Sequence, residues 1–403
     1  MSVVEKENAE SQGIMCPVCH SKDTYSFVNI ADVPVHCNLL YTSHDKALGV
    51  QKADINLAFC RFCEHVFNYL FDPDRMGYDQ DYENSLHFSP HFQEYAHTLA
   101  TKLIDRYDLN RKNIIEIGCG DGEFLALLCE LGLNRGWGFD PSSQLRHNDC
   151  AADKHINIIK DYYSDKYSDY RADLIICRHV LEHIKFPRDF LGNVRSVSRD
   201  CEGGIVVYFE VPNVAFTLRD LGIWDLIYEH CSYFSAKSFV YLFNSCGFQV
   251  RECTEVFDDQ FLSIECLLSN RANDVSLVDS SNFDSLKLNV ENFANAFHNK
   301  IKKWKKEIEQ FKAKDKKAVI WGAGSKGVTF LNALGIDSEI EYVIDINPKK
   351  HGNYVAGTGQ KIAPPSFLPE YFPDYIIVMN PIYQNEIKKM MREINVTSEI
   401  MLA

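Results

Sequence analysis

A chain of 403 residues, 46% apolar and 24% charged, is long enough for two or three hydrophobic cores, and this composition excludes wholesale disorder. A formal net charge of -14 argues against nucleic acid or an anionic membrane as partner, because phosphate binding draws on an excess of Lys and Arg, although it leaves room for one small phosphate pocket. The opening Met1-Ser-Val-Val-Glu-Lys-Glu-Asn has no basic-then-apolar pattern and no apolar run reaches the length of a membrane span, so the expected location is the cytoplasm.

Most of the 14 cysteines stand singly in apolar stretches, as Cys129, Cys177 and Cys266 do, and read as small buried hydrophobes. Four differ: Cys16-Pro-Val-Cys19 and Cys60-Arg-Phe-Cys63 are two CxxC knuckles roughly 40 residues apart. Four thiolates at that spacing complete a tetrahedron around zinc with no open position, which makes the ion structural. The competing readings are a redox CxxC or two coincidental pairs, and a redox pair has no need of a second knuckle. Residues 1-70 are therefore expected to form a small zinc ribbon. His36 and Cys37, between the knuckles, are spare ligands, substrate-facing groups or structural residues, with the last reading favoured.

From Phe71 to Phe92 the chain is aromatic and polar, with neither helical nor strand period: Tyr78-Asp-Gln-Asp-Tyr82-Glu-Asn-Ser-Leu-His87-Phe-Ser-Pro-His91-Phe. Such a segment before a core is a lid or binding loop, or else aromatic packing between domains. Glu94–Tyr107 then reads as a helix.

The stretch Ile114-Ile-Glu-Ile-Gly-Cys-Gly-Asp-Gly-Glu-Phe-Leu125 is an apolar run, a Gly-rich turn and the start of an amphipathic helix. Gly136-Trp-Gly-Phe-Asp140 is a second strand ending in an acid about 20 residues on, where such folds bind a ribose diol. Glu116-Ile-Gly118-Cys-Gly120-Asp-Gly122 resembles the E-x-G-x-G-x-G signature of class I S-adenosylmethionine (SAM) methyltransferases; a NAD fingerprint would want G-x-G-x-x-G. That resemblance places Asp161 near the adenine, and it aligns Ala172-Asp-Leu-Ile-Ile-Cys-Arg-His-Val-Leu-Glu-His-Ile184 with the fourth strand and its exit, which faces the SAM methyl group. Residues 71-270 are expected to form this core.

Gly204–Asn213 reads as a fifth strand. The loop Ile223-Trp-Asp-Leu-Ile-Tyr228-Glu229-His230-Cys-Ser-Tyr233 then brings Tyr, Glu and His to where substrate would lie, and histidine is the side chain whose ordinary pKa suits a general base near neutrality. A helix over Lys237–Cys246 and strands over Phe248–Val256 and Phe261–Leu268 finish the sheet. The polar Ser269–Asp284 is a boundary. Val290, Phe293, Phe297, Ile301, Trp304, Ile308 and Phe311 recur at helical spacing on one long helix, either a dimer seam or, the favoured reading, a face packed on its own chain. In Trp321-Gly322-Ala-Gly324-Ser-Lys326-Gly327 the chain carries a true G-x-G-x-x-G, with Asp345 at the ribose position and a further strand over Asp374–Asn380. Residues 271-403 thus read as a long helix and a smaller Rossmann-like unit. Its loop suits NAD or the pyrophosphate of a sugar nucleotide, and its glycines also serve to shape the turn alone.

A four-Cys ribbon, a SAM core and a C-terminal Rossmann-like unit in this order resemble the nucleotide-sugar C-methyltransferase family over nearly the whole chain. The resemblance implies an α/β protein with structural zinc that methylates C3 of a 4-keto-6-deoxysugar carried on dTDP or GDP, the sugar nucleotide lying between the domains. Carried over residue by residue, it implies His230 as base, Glu229 as its orienter, and His183 with Tyr82 as donors to the keto oxygen, with permutation of these roles open. Family members place a tyrosine at an offset that falls here on Ile227, while Tyr228 directly precedes the Glu-His pair. Glu116, Gly118, Gly120, Gly122, Asp140 and Asp161 are the expected SAM residues; Tyr78, Gly322, Gly324 and Lys326 are expected to bind substrate; Cys16, Cys19, Cys60 and Cys63 are expected to hold the metal. His179 is the other histidine at the fourth-strand exit. Oxygen or nitrogen methylation, a bifunctional enzyme whose C-terminal unit reduces the ketone with NAD(P)H, and a non-catalytic SAM binder stand as alternatives, as do monomer and homodimer.

Overall fold

The computed structural model describes residues 13–77, 82–143, 155–196, 204–268, 285–336 and 339–403. Tyr78 and the whole of the boundary Ser269–Asp284 lie outside them.

The N-terminal part is an antiparallel meander of β1 (Thr24–Pro34), β2 (Lys52–Cys60) and β3 (Val66–Asn68). The central sheet begins with β4 (Asn113–Ile117), β5 (Arg135–Phe139), β6 (Ile156–Ile159), β7 (Leu174–Arg178) and β8 (Ile205–Pro212), all parallel. Strands such as Ile114-Ile-Glu-Ile117 read as near-continuous apolar runs because helices cover both faces of a parallel sheet. The chain then leaves the core: β9 (Ser232–Tyr233) pairs with β3, adding a fourth strand to the N-terminal sheet. It returns as the hairpin of β10 (Gln249–Val256) and β11 (Phe261–Leu268), and β11 lies antiparallel to β8. The seven-stranded order is β10-β11-β8-β7-β4-β5-β6.

A second sheet, wholly parallel and ordered β14-β13-β12-β15-β16, is built from β12 (Ala318–Trp321), β13 (Tyr342–Ile344), β14 (Lys361–Ala363), β15 (Tyr375–Val378) and β16 (Glu399–Leu402). Both the seven-stranded and the five-stranded sheet reverse strand order beside their first strand, β4 or β12, and open α/β sheets bind ligands at that crevice.

Local signals set the helix ends. Ser89 accepts a hydrogen bond from Phe92 N and Pro90 starts the helix Pro90–Tyr107, while Ser235 and Ser238 form a capping box at the head of Ala236–Ser245. The helix Lys287–Ala313 buries Val290, Phe293, Phe297, Trp304, Ile308 and Phe311 against β1 and the C-terminal unit of its own chain. Trp304 meets Phe330 edge-on at 5.2 Å, and Trp224 from the loop after β8 meets the same ring at 4.8 Å. Each fully buried aromatic of this kind stabilises the docking by roughly 1.5–3 kcal/mol. Among the described residues, no helix is long and apolar enough to cross a membrane.

Candidate active site

A cleft of about 760 Å³ is lined by residues from all three parts of the chain. One wall is the Gly-rich turn after β4. Gly118 has φ 72° and its N–H donates to Phe139 O at 2.8 Å, and a Cβ at this glycine would stand 2.1 Å from Val180 Cγ2. Gly120, at φ 54°, has nothing within 4 Å of where a Cβ would go, so its backbone is open to a ligand. Asp140 Oδ2 accepts from Gly120 N at 2.8 Å, and its other oxygen accepts from Ser142 N at 2.8 Å and Ser142 Oγ at 2.6 Å. Glu116 is buried with Oε2 unpartnered, and burial, opposed by Arg178, pushes its carboxyl up to about 8. An open glycine turn, an oriented acid and a buried acceptor on the cleft wall suit an adenosyl ligand with a cationic amino acid end. Asp161 also lines this end, its carboxylate taking Tyr162 N and the Tyr167 hydroxyl at 2.8 and 2.7 Å and the Lys166 ammonium.

Two histidines come from the exits of β7 and β8. His183 and His230 meet edge-on with ring centroids 4.9 Å apart, and both line the cleft. Burial pushes both imidazoles down, His230 well below the ordinary range with His183 adding to the effect, so both are neutral at pH 7. The Glu229 backbone hydrogen-bonds His183, whereas the Glu229 carboxylate, fully buried, accepts from Cys37 N at 2.9 Å and stands 3.6 Å from His36 Nδ1. The acid expected to orient His230 is therefore directed at the loop after β1. Tyr82 lines the cleft, with Asn38 Nδ2 3.4 Å from its hydroxyl. Tyr228 does not join the group: its hydroxyl accepts from Asp72 N at 2.9 Å, its ring packs on Phe71, and it lies off the cleft wall. The Tyr233 hydroxyl meets the backbone at the expected tyrosine position, donating to Ile227 O at 3.1 Å and accepting from Ile227 N.

Sequence reasoning missed a buried network behind these residues. Arg178 Nε and Nη2 donate to Glu210 Oε1 at 3.1 and 3.0 Å, Tyr208 donates to Oε2 at 2.9 Å, and Tyr95 donates there too. His179 Nε2 lies 3.0 Å from Glu210 Oε1 but off the line of a hydrogen bond. Burial alone would raise the Glu210 carboxyl; Arg178 and His179 outweigh it and hold the group well below the usual carboxylate range. The available signal was a lone Glu inside the apolar strand Ile205–Pro212.

Across the cleft, the C-terminal unit repeats the bonding of the turn after β4. Gly322 N donates to Ile344 O at 2.8 Å, Ala323 N to Asp345 Oδ2 at 2.7 Å and Asn347 N to Asp345 Oδ1 at 2.8 Å. Gly322, Gly324 and Lys326 line the cleft, with Lys326 Nζ 2.8 Å from Asp225 Oδ1. A bridge joins the two units: Glu83 accepts from Asn347 Nδ2 and Lys349 Nζ at 3.0 Å each, and Lys349 reaches Asp121 Oδ2 at 3.4 Å.

Away from the cleft, the Sγ atoms of Cys16, Cys19, Cys60 and Cys63 lie within 4.8 Å of one another, with Cys16–Cys63 at 3.6 Å and Cys19–Cys60 at 3.5 Å. A regular tetrahedron with metal–sulfur distances near 2.3 Å has edges of about 3.8 Å, so the set fits one ion.

Comparison with known proteins agrees with this construction. Residues 92–253 match the methyltransferase domain family and residues 279–400 match the family described as the C-methyltransferase C-terminal domain. The C-methyltransferase NovU of Streptomyces niveus is 24% identical over 392 residues, 92% of this chain and 90% of that protein. Solved structures with weaker overlap include a SAM-dependent methyltransferase from Aquifex aeolicus (12% identity, TM-score 0.34, 45% of this chain and 95% of that one) and magnesium protoporphyrin IX methyltransferase from Synechocystis (14%, 0.35, 44% and 84%). The two matched domains and the likeness to NovU support a C-methyltransferase family for this chain, and with the Gly-rich turn and the histidine cleft they support a SAM-dependent methyltransferase.

Proposed function

We propose that the enzyme methylates C3 of a 4-keto-6-deoxysugar carried on a nucleoside diphosphate, through an enolate. The observation that carries this reading is that one cleft joins the SAM turn, two neutral histidines and a second Gly-x-Gly turn with Lys326. A carbon beside a ketone is acidic enough for a histidine to deprotonate once the developing oxyanion is stabilised. SAM supplies the methyl group as an electrophile bonded to a sulfonium.

In this reading His230 takes the C3 proton, and the electron pair shifts toward the keto oxygen, where His183 and Tyr82 donate. The enolate carbon then forms a bond to the methyl carbon as the methyl–sulfur bond breaks, the ketone reforms, and the proton leaves His230 to water. The turn Gly322–Gly324 and Lys326 hold the pyrophosphate, which sits at the head of the helix Ser325–Leu334. The four cysteines hold zinc in a purely structural role, and the reaction takes place in the cytoplasm, where sugar nucleotides are made.

The test is mass spectrometry of dTDP- and GDP-4-keto-6-deoxysugars incubated with the enzyme and SAM in heavy water. The expected result is one added methyl on one member, with deuterium entering that ketone when SAM is omitted. Methylation only of oxygen or nitrogen acceptors, with no exchange, would reject the reading.

A further inference from the structure

One ionisable side chain in the cleft has no part in the scheme above. Glu182 sits in the single turn Leu181–His183 after β7, is 2% exposed, and still lines the cleft. Its Oε2 has no hydrogen-bond partner; its Oε1 is 3.8 Å from His179 Nδ1. One side-chain N or O atom from each of Glu182, His183 and His230 falls within 4.8 Å of the other two, close enough to converge on a single substrate atom. Leaving a buried carboxyl oxygen unsatisfied is costly, and more so if it is charged. A group that keeps this arrangement on a substrate wall is completed by an atom that the ligand brings.

The groups that face it decide its charge. They are His179, His183 and His230, with Glu210 behind His179 and the buried thiols of Cys177 and Cys231 alongside. Burial, reinforced by the Glu210 charge and opposed by the N–H of Glu182 itself, pushes the carboxyl up to about 8. At pH 7 it carries its proton, and a neutral acid is a hydrogen-bond donor.

We propose that Glu182 works as a neutral carboxylic acid that donates its O–H to the substrate's keto oxygen while that oxygen becomes the enolate, making it a catalytic residue beside His183. This deepens the enolate reading and rests on it. No proton leaves Glu182: the C3 proton goes to the histidine base, and the hydrogen bond from Glu182 shortens and then relaxes as the ketone reforms. A fixed donor aimed at developing charge is worth more in a cleft than in water.

The test follows deuterium wash-in at C3 of dTDP-4-keto-6-deoxyglucose and GDP-4-keto-6-deoxymannose without SAM, over pH about 6 to about 9.5. The wild-type rate is expected to fall as pH rises through about 8, because the donor is lost. Glu182→Gln, whose amide donates without titrating, stays within about tenfold of wild type at pH 7 and loses that alkaline limb, and Glu182→Ala falls about 100-fold. Glu182→Asp keeps a titrating acid and moves the limb. Calorimetric SAM affinity reports that each variant is folded. Glu116 also titrates near 8, and if it is the source the limb persists unchanged in both Glu182→Gln and Glu182→Asp, which overturns the proposal. So does a Glu182→Gln enzyme as slow as Glu182→Ala with SAM affinity intact, or wash-in that a chelator abolishes and a divalent ion restores at this cluster. Wild-type enzyme with no wash-in on either ketone rejects the enolate reading itself, and the proposal with it.

Discussion

The carboxylate of Glu229 stands 3.6 Å from Nδ1 of His36, a residue of the loop after β1, and not against its sequence neighbour His230. Glu229→Gln keeps an oxygen to accept from Cys37 N, so the melting temperature is expected to change little. The negative charge that favours protonation of His183 is lost, and kcat/KM for methyl transfer is expected to fall about 10-fold to 100-fold. Paired thermal melts and methyl-transfer assays separate the two effects.

His230→Ala removes the proposed base. Wash-in and methylation are expected to drop by about 10²–10⁴, with calorimetric SAM affinity unchanged. In the wild type the imidazole is held well below its ordinary range by burial, so its lone pair stays available in mild acid. The rate is therefore lost as pH falls only below about 6.5, the usual histidine value, and a pH profile of kcat/KM locates that limb.

Gly118→Ala and Gly120→Ala should separate folding from cofactor binding. The first drives a Cβ to 2.1 Å from Val180 at a φ of 72° and is expected to cost about 1–3 kcal/mol in urea unfolding, together with SAM affinity. The second meets no protein atom and projects into the space a ligand would use. Its main effect is expected to be a rise of about tenfold or more in the SAM Kd, with less lost in urea unfolding.

Lys326→Met leaves Asp225 without its cation and takes a positive charge from the proposed pyrophosphate site. KM for the sugar nucleotide is expected to rise about 10-fold to 100-fold while the SAM Kd stays put, a contrast that steady-state kinetics and calorimetry report together.

Elemental analysis is expected to find one zinc per chain. Cys60→Ser should remove it and lower the melting temperature, and because β3 pairs with β9 two residues beyond His230, the same variant should slow methyl transfer.

Much of this architecture was legible because its signals are local. The apolar run that stops at Gly118, the acid at Asp140, the CxxC spacing and the period of Val290 to Phe311 each need only a short window of chain. Glu229, Tyr228 and Glu210 were read less well, for one physical reason: their partners His36, Asp72 and Arg178 are far away in sequence, and only the fold decides which way a buried side chain points. In the loop after β8, Tyr228 and Glu229 sit in a turn ahead of β9, and their side chains bond to the backbone of Asp72 and Cys37, while His230 lines the cleft.

The bridge from Lys349 to Glu83 and Asp121 has a kinetic meaning. It ties the β4 turn, the segment before the helix Pro90–Tyr107 and the C-terminal unit together around the cleft. Its Glu83 contacts are buried and little screened by salt, whereas the Lys349–Asp121 pair reaches solvent and is worth little. The outer fastener opens often and recloses quickly, so entry of cofactor and release of product should be sensitive to ionic strength through Asp121 even where the chemical step is not.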